Sequence, residues 1–90
     1  MELLKESTPV ARKRYRCDAS AIIRDVWNDG YPLTISELRS IVVARQNGWM
    51  INAGEKYIHQ SVADGGTVYT WRAIPSLHAI CCKYDMYDEF

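Results

Sequence analysis

A chain of 90 residues makes one small domain, and a 48% hydrophobic content with three tryptophans and six tyrosines is too apolar for a disordered segment. Eleven basic and eleven acidic residues cancel, which excludes both a strongly acidic nucleic-acid mimic and a generic polycationic binder. No apolar run approaches the roughly 20 residues of a membrane span, so no membrane partner is expected.

Residues 1–9 read as a flexible lead-in ending at Pro9. Its start, Met1-Glu2-Leu3-Leu4-Lys5-Glu6, has neither the basic opening nor the long apolar stretch of a signal peptide. Three cysteines, two of them adjacent, do not form a disulfide framework, and a reducing cytoplasm is expected. Residues 12–16 form a basic arm, Arg12-Lys13-Arg14-Tyr15-Arg16. Such an arm contacts phosphate, pairs with the acidic C-terminal tail (Asp85, Asp88, Glu89), or stays solvated.

A first helix is predicted to begin after Asp18 or Ser20, both good N-cap types. Ile22, Ile23, Val26 and Trp27 give it one apolar stripe, and Asn28-Asp29-Gly30 with Pro32 ends it. Thr34 and Glu37 form a capping box for a second helix. Ile35, Leu38, Ile41 and Val42 follow at helical spacing, and Gly48 suits the left-handed position behind it. Arg39 and Arg45 fall on or near the exposed face. From Trp49 the period changes to that of strands, with a short strand over residues 49–51 and a turn over 52–55. Residues 56–62 and 67–73 then read as a hairpin around Ala63-Asp64-Gly65-Gly66. Alternation sets Tyr57, His59 and Ser61 against Ile58, Gln60 and Val62. Pro75 and Ser76 open a final helix with Leu77, Ile80, Cys81 and Tyr84 inward. The expected fold is a single α+β domain spanning residues 1–90, with two N-terminal helices, a β-hairpin and a C-terminal helix. Trp71 is expected to be buried where the hairpin meets that helix.

Cys17-Asp18-Ala19-Ser20 reads as a Cys-x-x-Cys knuckle with serine in the second position, and His78 and Cys81 are spaced i, i+3. Thiolate and imidazole suit zinc, which takes four ligands in structural sites. The metal ligands would be Cys17, His78 and Cys81, completed by Asp18, His59, Cys82 or water. The alternative is a core in which the cysteines pack as small apolar residues and His78 is a polar group at a helix end. A nucleophile–base pair of Cys17 with His59 or His78 lacks a third, orienting group. With no glycine-rich phosphate loop and no paired carboxylates, no catalytic residues are expected. Tyr57, Tyr69 and Trp71 either stack bases beside Arg72 or pack the sheet onto the helices. Arg12, Lys13, Arg14 and Arg72 are the candidate phosphate contacts. Tyr84 and Tyr87, in the aromatic and acidic tail, are candidate protein-docking anchors.

The segments Arg16-Cys17-Asp18-Ala19-Ser20, Gly48-Trp49-Met50-Ile51 and Gly54-Glu55-Lys56-Tyr57-Ile58-His59-Gln60 form a pattern. It continues through Tyr69-Thr70-Trp71-Arg72-Ala73-Ile74-Pro75 and His78-Ala79-Ile80-Cys81. Over residues 14 to 88 the pattern resembles small phage- and prophage-encoded proteins with a zinc-ribbon or treble-clef unit. The resemblance implies a zinc-ribbon-like core with Cys17, His78 and Cys81 in matched ligand positions, and serine in place of a ligand at Ser20. It also implies a non-enzymatic accessory protein, in the cytoplasm of a bacterial host, that binds and modulates or inhibits a host protein. A CRISPR-type defence complex is among the partners it suggests. The alternative function is a zinc-ribbon-derived nucleic-acid-binding module.

Overall fold

The computed structural model describes residues 2–26 and 30–89. Trp27, Asn28 and Asp29, expected to finish the first helical stripe, lie outside the described residues, as does Phe90. The chain folds as a small α+β domain with two antiparallel sheets. Its order is β1 (Glu2–Ser7), β2 (Tyr15–Arg16), α1 (Asp18–Val26), α2 (Ile35–Gln46), β3 (Met50–Ile51), β4 (Ile58–Asp64), β5 (Thr67–Ala73) and α3 (Pro75–Lys83), closed by a 3-10 turn over Met86–Glu89. The main sheet runs β1-β4-β5, and β2 pairs with β3 in a two-stranded ribbon.

The β4–β5 hairpin forms where the sequence places it. Gly65 and Gly66, at φ of 59° and 85°, supply the two positive φ angles that a two-residue turn of matching twist requires. The register Gln60↔Trp71 and Val62↔Tyr69 sets the core-facing side of the sheet. On that side Val62 and Ala73 are buried, and Ile58, Trp71 and Tyr69 are half-buried. Trp71 therefore packs at the edge of the core instead of inside it. On the opposite side Val68 and Thr70 face solvent, as one side of an antiparallel sheet can.

Residues 2–7 are a strand rather than a loose lead-in: β1 pairs along β4 from Glu2↔Ala63 to Ser7↔His59, with an irregularity between Leu3 and Lys5. The basic arm is tied down as well. The Ala11 amide donates to the Glu55 carbonyl (2.8 Å), Gly54 donates to Ala11 (2.8 Å), and Arg14 Nη2 donates to the Asn47 carbonyl (2.9 Å). That last bond puts a cation at the negative end of α2.

Ile22, Ile23 and Val26 bury the inner side of α1 against α3, β5 and the 3-10 turn. α2 is different. Of its four apolar residues at helical spacing only Ile41 is buried, joined by Ala44, while Ile35, Leu38 and Val42 are 72%, 39% and 51% exposed. The inward direction of α2 is fixed by Glu37, whose carboxylate docks on the end of α3. Glu37 Oε1 accepts from the Thr34 amide (2.8 Å) and the Tyr84 hydroxyl (2.6 Å), and Oε2 from Lys83 Nζ (3.2 Å). The capping box is complete, since Thr34 Oγ1 accepts from the Glu37 amide at 3.1 Å.

The Thr34 amide, then the Tyr84 hydroxyl, hold the Glu37 carboxyl at about 2, below its ordinary 4.5. A depressed carboxyl adds stability that is complete above the ordinary value and is lost as protons bind below it. The domain is therefore expected to lose stability as pH falls from 4.5 towards about 2, and Glu37→Gln to flatten that loss. Urea titrations across this pH range check it.

Candidate functional site

A groove of about 350 Å³ lies between α1 and the core-facing side of the main sheet. Helical spacing builds one wall: Asp18, Ala21 and Asp25 stand at i, i+3 and i+7 on the flank of α1 beside its buried stripe. Ile22 and Val62 form the apolar floor, with the cross-strand pair Gln60 and Trp71 behind. Tyr87 from the 3-10 turn closes the end, its ring edge-on to Trp71 at 5.6 Å between centroids. The Asp18 carboxylate is fixed because Oδ2 accepts from the Arg72 amide on the free edge of β5 (2.9 Å). Asp25 is exposed and makes no ion pair among the described residues. The groove is thus apolar inside with two carboxylates along one rim. Its register extends it: Leu3, Val62 and Tyr69 sit side by side across the three strands, and Leu3 is 53% exposed.

The zinc-ribbon resemblance does not hold. Among the described residues no group of three or more histidine, cysteine, aspartate and glutamate side chains is placed to hold a metal ion, and the three cysteines are free. Asp18-Ala19-Ser20 is the first turn of α1 rather than a knuckle, with Ser20 buried in it. Cys17 Sγ accepts from the Ile74 amide (3.2 Å), and together with Asp18 it satisfies the edge of β5. Cys81 is fully buried, with its thiol pushed up to about 12 by burial above all. His78 turns away from it, towards Cys82. Cys17, His78 and Cys81 therefore do not form the predicted ligand set. Cys17→Ala is expected to cost roughly 1–3 kcal/mol by leaving the Ile74 amide unpaired. Cys17→Ser should recover part of that, because the hydroxyl is again an acceptor. Denaturant titrations of the two variants decide it.

His78 gathers the polar contacts of α3. Its Nδ1 lies 2.7 Å from the Tyr87 hydroxyl, and its Nε2 lies 3.6 Å from Cys82 Sγ and 3.8 Å from Glu6 Oε1. Glu6 is in turn held by Gln60 Nε2 (2.9 Å). Thiol, imidazole and carboxylate are near one another, but thiol and carboxylate share the same imidazole nitrogen. A carboxylate that orients a base needs the opposite one. Burial lowers the proton affinity of His78, while burial, then Glu6 and Asp85, raise that of the Cys82 thiol. Both shifts keep the proton on sulfur, opposite to what an activated nucleophile requires.

The residues singled out for binding fall in separate places. Lys13 Nζ and the Arg72 guanidinium both lie over the Tyr15 ring, at 5.6 and 4.6 Å from its centroid, and Arg12 is exposed nearby in sequence. Arg14 is on the end of α2. Tyr84 donates to Glu37 and lies 3.0 Å from the Pro32 carbonyl. Tyr87, the one member of that set in the groove, is half-buried there. The groove itself was not anticipated, although the heptad spacing of Asp18, Ala21 and Asp25 beside Ile22 was open to view. Compared with protein-family models, characterised proteins and solved structures, the chain has no match. No helix among the described residues is long and apolar enough to cross a membrane.

Proposed function

We propose that the domain is a non-enzymatic protein-binding module that takes an apolar segment carrying a lysine or arginine into the groove between α1 and the sheet. One observation carries the reading: an apolar groove with Asp18 and Asp25 along its rim, where Asp25 makes no ion pair among the described residues. Its volume lies at the low end of ligand clefts, roughly 300–1,000 Å³. A long cationic side chain fits such a site, its methylenes over Ile22, Val62 and Trp71 and its charge at the rim. The apolar row through Leu3, Val62 and Tyr69 extends the contact beyond one compact ligand, which favours a segment of another protein. The burial that holds the proton on the Cys82 thiol and lowers the proton affinity of His78 beside it supports the non-enzymatic part. The three free thiols fit a reducing compartment. A phage origin and a host-directed inhibitory role rested on the zinc-ribbon resemblance, and they form no part of this reading.

The test is calorimetric titration with a short peptide in which arginine neighbours leucine. Asp25→Arg should weaken binding at least tenfold, since a charge-assisted contact contributes about 1.5–3 kcal/mol. Ala21→Trp, which fills the groove from an exposed position, should abolish it. Unchanged affinity in both variants would contradict the proposal. A second reading, nucleic-acid binding, is favoured by the placement of Lys13 and Arg72 on the Tyr15 ring. It requires steep loss of affinity with salt and on charge reversal at Arg12, Lys13 and Arg14, which the groove reading does not.

A further inference from the structure

The other flank of α1 borders a second concavity, of about 290 Å³, between α1 and α2. Its floor is Leu38, Ile41, Val42 and Trp49, and its walls carry Arg24 and Arg45. Arg24 is held in place with its guanidinium over the Trp49 ring, 5.6 Å from the centroid. The outward side of α2 continues the surface, with Ile35 72% and Val42 51% exposed and Arg39 between them at helical spacing. A 12-residue helix that leaves this much aliphatic surface in water is not accounted for by its own core. Among the described residues lining this face the charge has one sign. Glu37, the only carboxylate on α2, points the other way and is consumed by Thr34, Tyr84 and Lys83. Arg24, Arg39 and Arg45 make no ion pair among the described residues.

We infer that this face is a second docking surface, and that its partner is an acidic amphipathic helix. Its aliphatic stripe would lie along Leu38 and Val42, and its carboxylates would meet Arg24, Arg39 and Arg45. Charge complementarity selects the occupant. A second copy in symmetric pairing would bring three arginines against the same three, and like charges in an interface are penalised. Arginine also suits the role, because its planar fork pairs with carboxylate in two hydrogen bonds while its stem covers apolar surface.

The experiment uses the full chain and two synthetic helical peptides. One has a leucine stripe flanked by glutamates, and its twin has lysine for every glutamate. Fluorescence anisotropy should show the glutamate peptide binding at least tenfold tighter than its twin. Val42→Glu should abolish that binding, and the double variant Arg39→Glu/Arg45→Glu should reverse the preference. These positions are exposed, so circular dichroism should show the fold intact. Equal affinity for both peptides, no binding of either, or insensitivity to Val42→Glu would overturn the inference. So would a dimer, detected by sedimentation, that Val42→Glu dissolves, since a second copy would then be the occupant. Ala21→Trp, which blocks the groove on the other flank of α1 without changing charge, should leave this binding intact. Loss of one surface is therefore distinguishable from loss of the other.

Discussion

Leu77→Ala is expected to destabilise the domain by about 2–5 kcal/mol. Leu77 lies in the first turn of α3 and is completely buried. It belongs to the one cluster that joins α1, α2, α3 and the sheet, with Ile23, Ile41, Ala73 and Ile80. Removing its side chain loses the transfer free energy of the deleted groups and leaves a cavity that the surrounding helices fill only in part. Small domains have roughly 5–15 kcal/mol of total stability, so the variant should melt far below the parent, by roughly 4–8 °C per kcal/mol for a chain of this size. Val43→Ala is the control. Val43 is 63% exposed on α2, and its loss should change the melting temperature little. Equal effects of the two substitutions would contradict the assignment of the core.

Met86→Ala should have an effect of the same order, about 2–5 kcal/mol, although it lies in what reads as a docking tail. Met86 is fully buried and belongs to the same cluster. The 3-10 turn that carries it packs against α1 and α3. Tyr87→Phe, which removes only the hydroxyl 2.7 Å from His78 Nδ1, should cost about 1 kcal/mol. Guanidinium titrations of both variants check the pair. Near-wild-type stability of Met86→Ala would mean that the tail is not part of the fold.

The elements legible in the sequence were those specified by local chemistry. Thr34 and Glu37 cap α2 through each other, Gly65 and Gly66 take the turn angles, and Pro75 opens α3 at its first position. β1 escaped because Glu-Leu-Leu-Lys-Glu-Ser does not alternate and gains its strand character only by pairing with β4, more than fifty residues away. β2 is two residues long, too short for any period to show, whereas β3 lies within the short strand expected over residues 49–51. Helical spacing placed apolar residues along α2 but not the direction in which they face. That direction is set by the attachment of Glu37 to Tyr84 and Lys83, a contact across 46 or 47 positions. The metal reading failed for a related reason. Ligand spacing says which residues are candidates, whereas a site needs their side chains to converge. Cys17 is turned to the β5 edge and His78 to Tyr87 and Cys82. The groove was half visible. Its α1 wall is written as a heptad of Asp18, Ala21 and Asp25, but its floor depends on which side of the hairpin that helix covers.

Amide chemical-shift mapping of the full chain, titrated with the arginine–leucine peptide, tests the groove most directly. The perturbed amides are expected to cluster on Ala21, Ile22, Asp25, Gln60, Val62, Trp71 and Tyr87, which line the groove, and to lose their response in Ala21→Trp. Perturbations confined to the Tyr15, Lys13 and Arg72 patch, or none at saturating peptide, would contradict the assignment of this groove as the binding site.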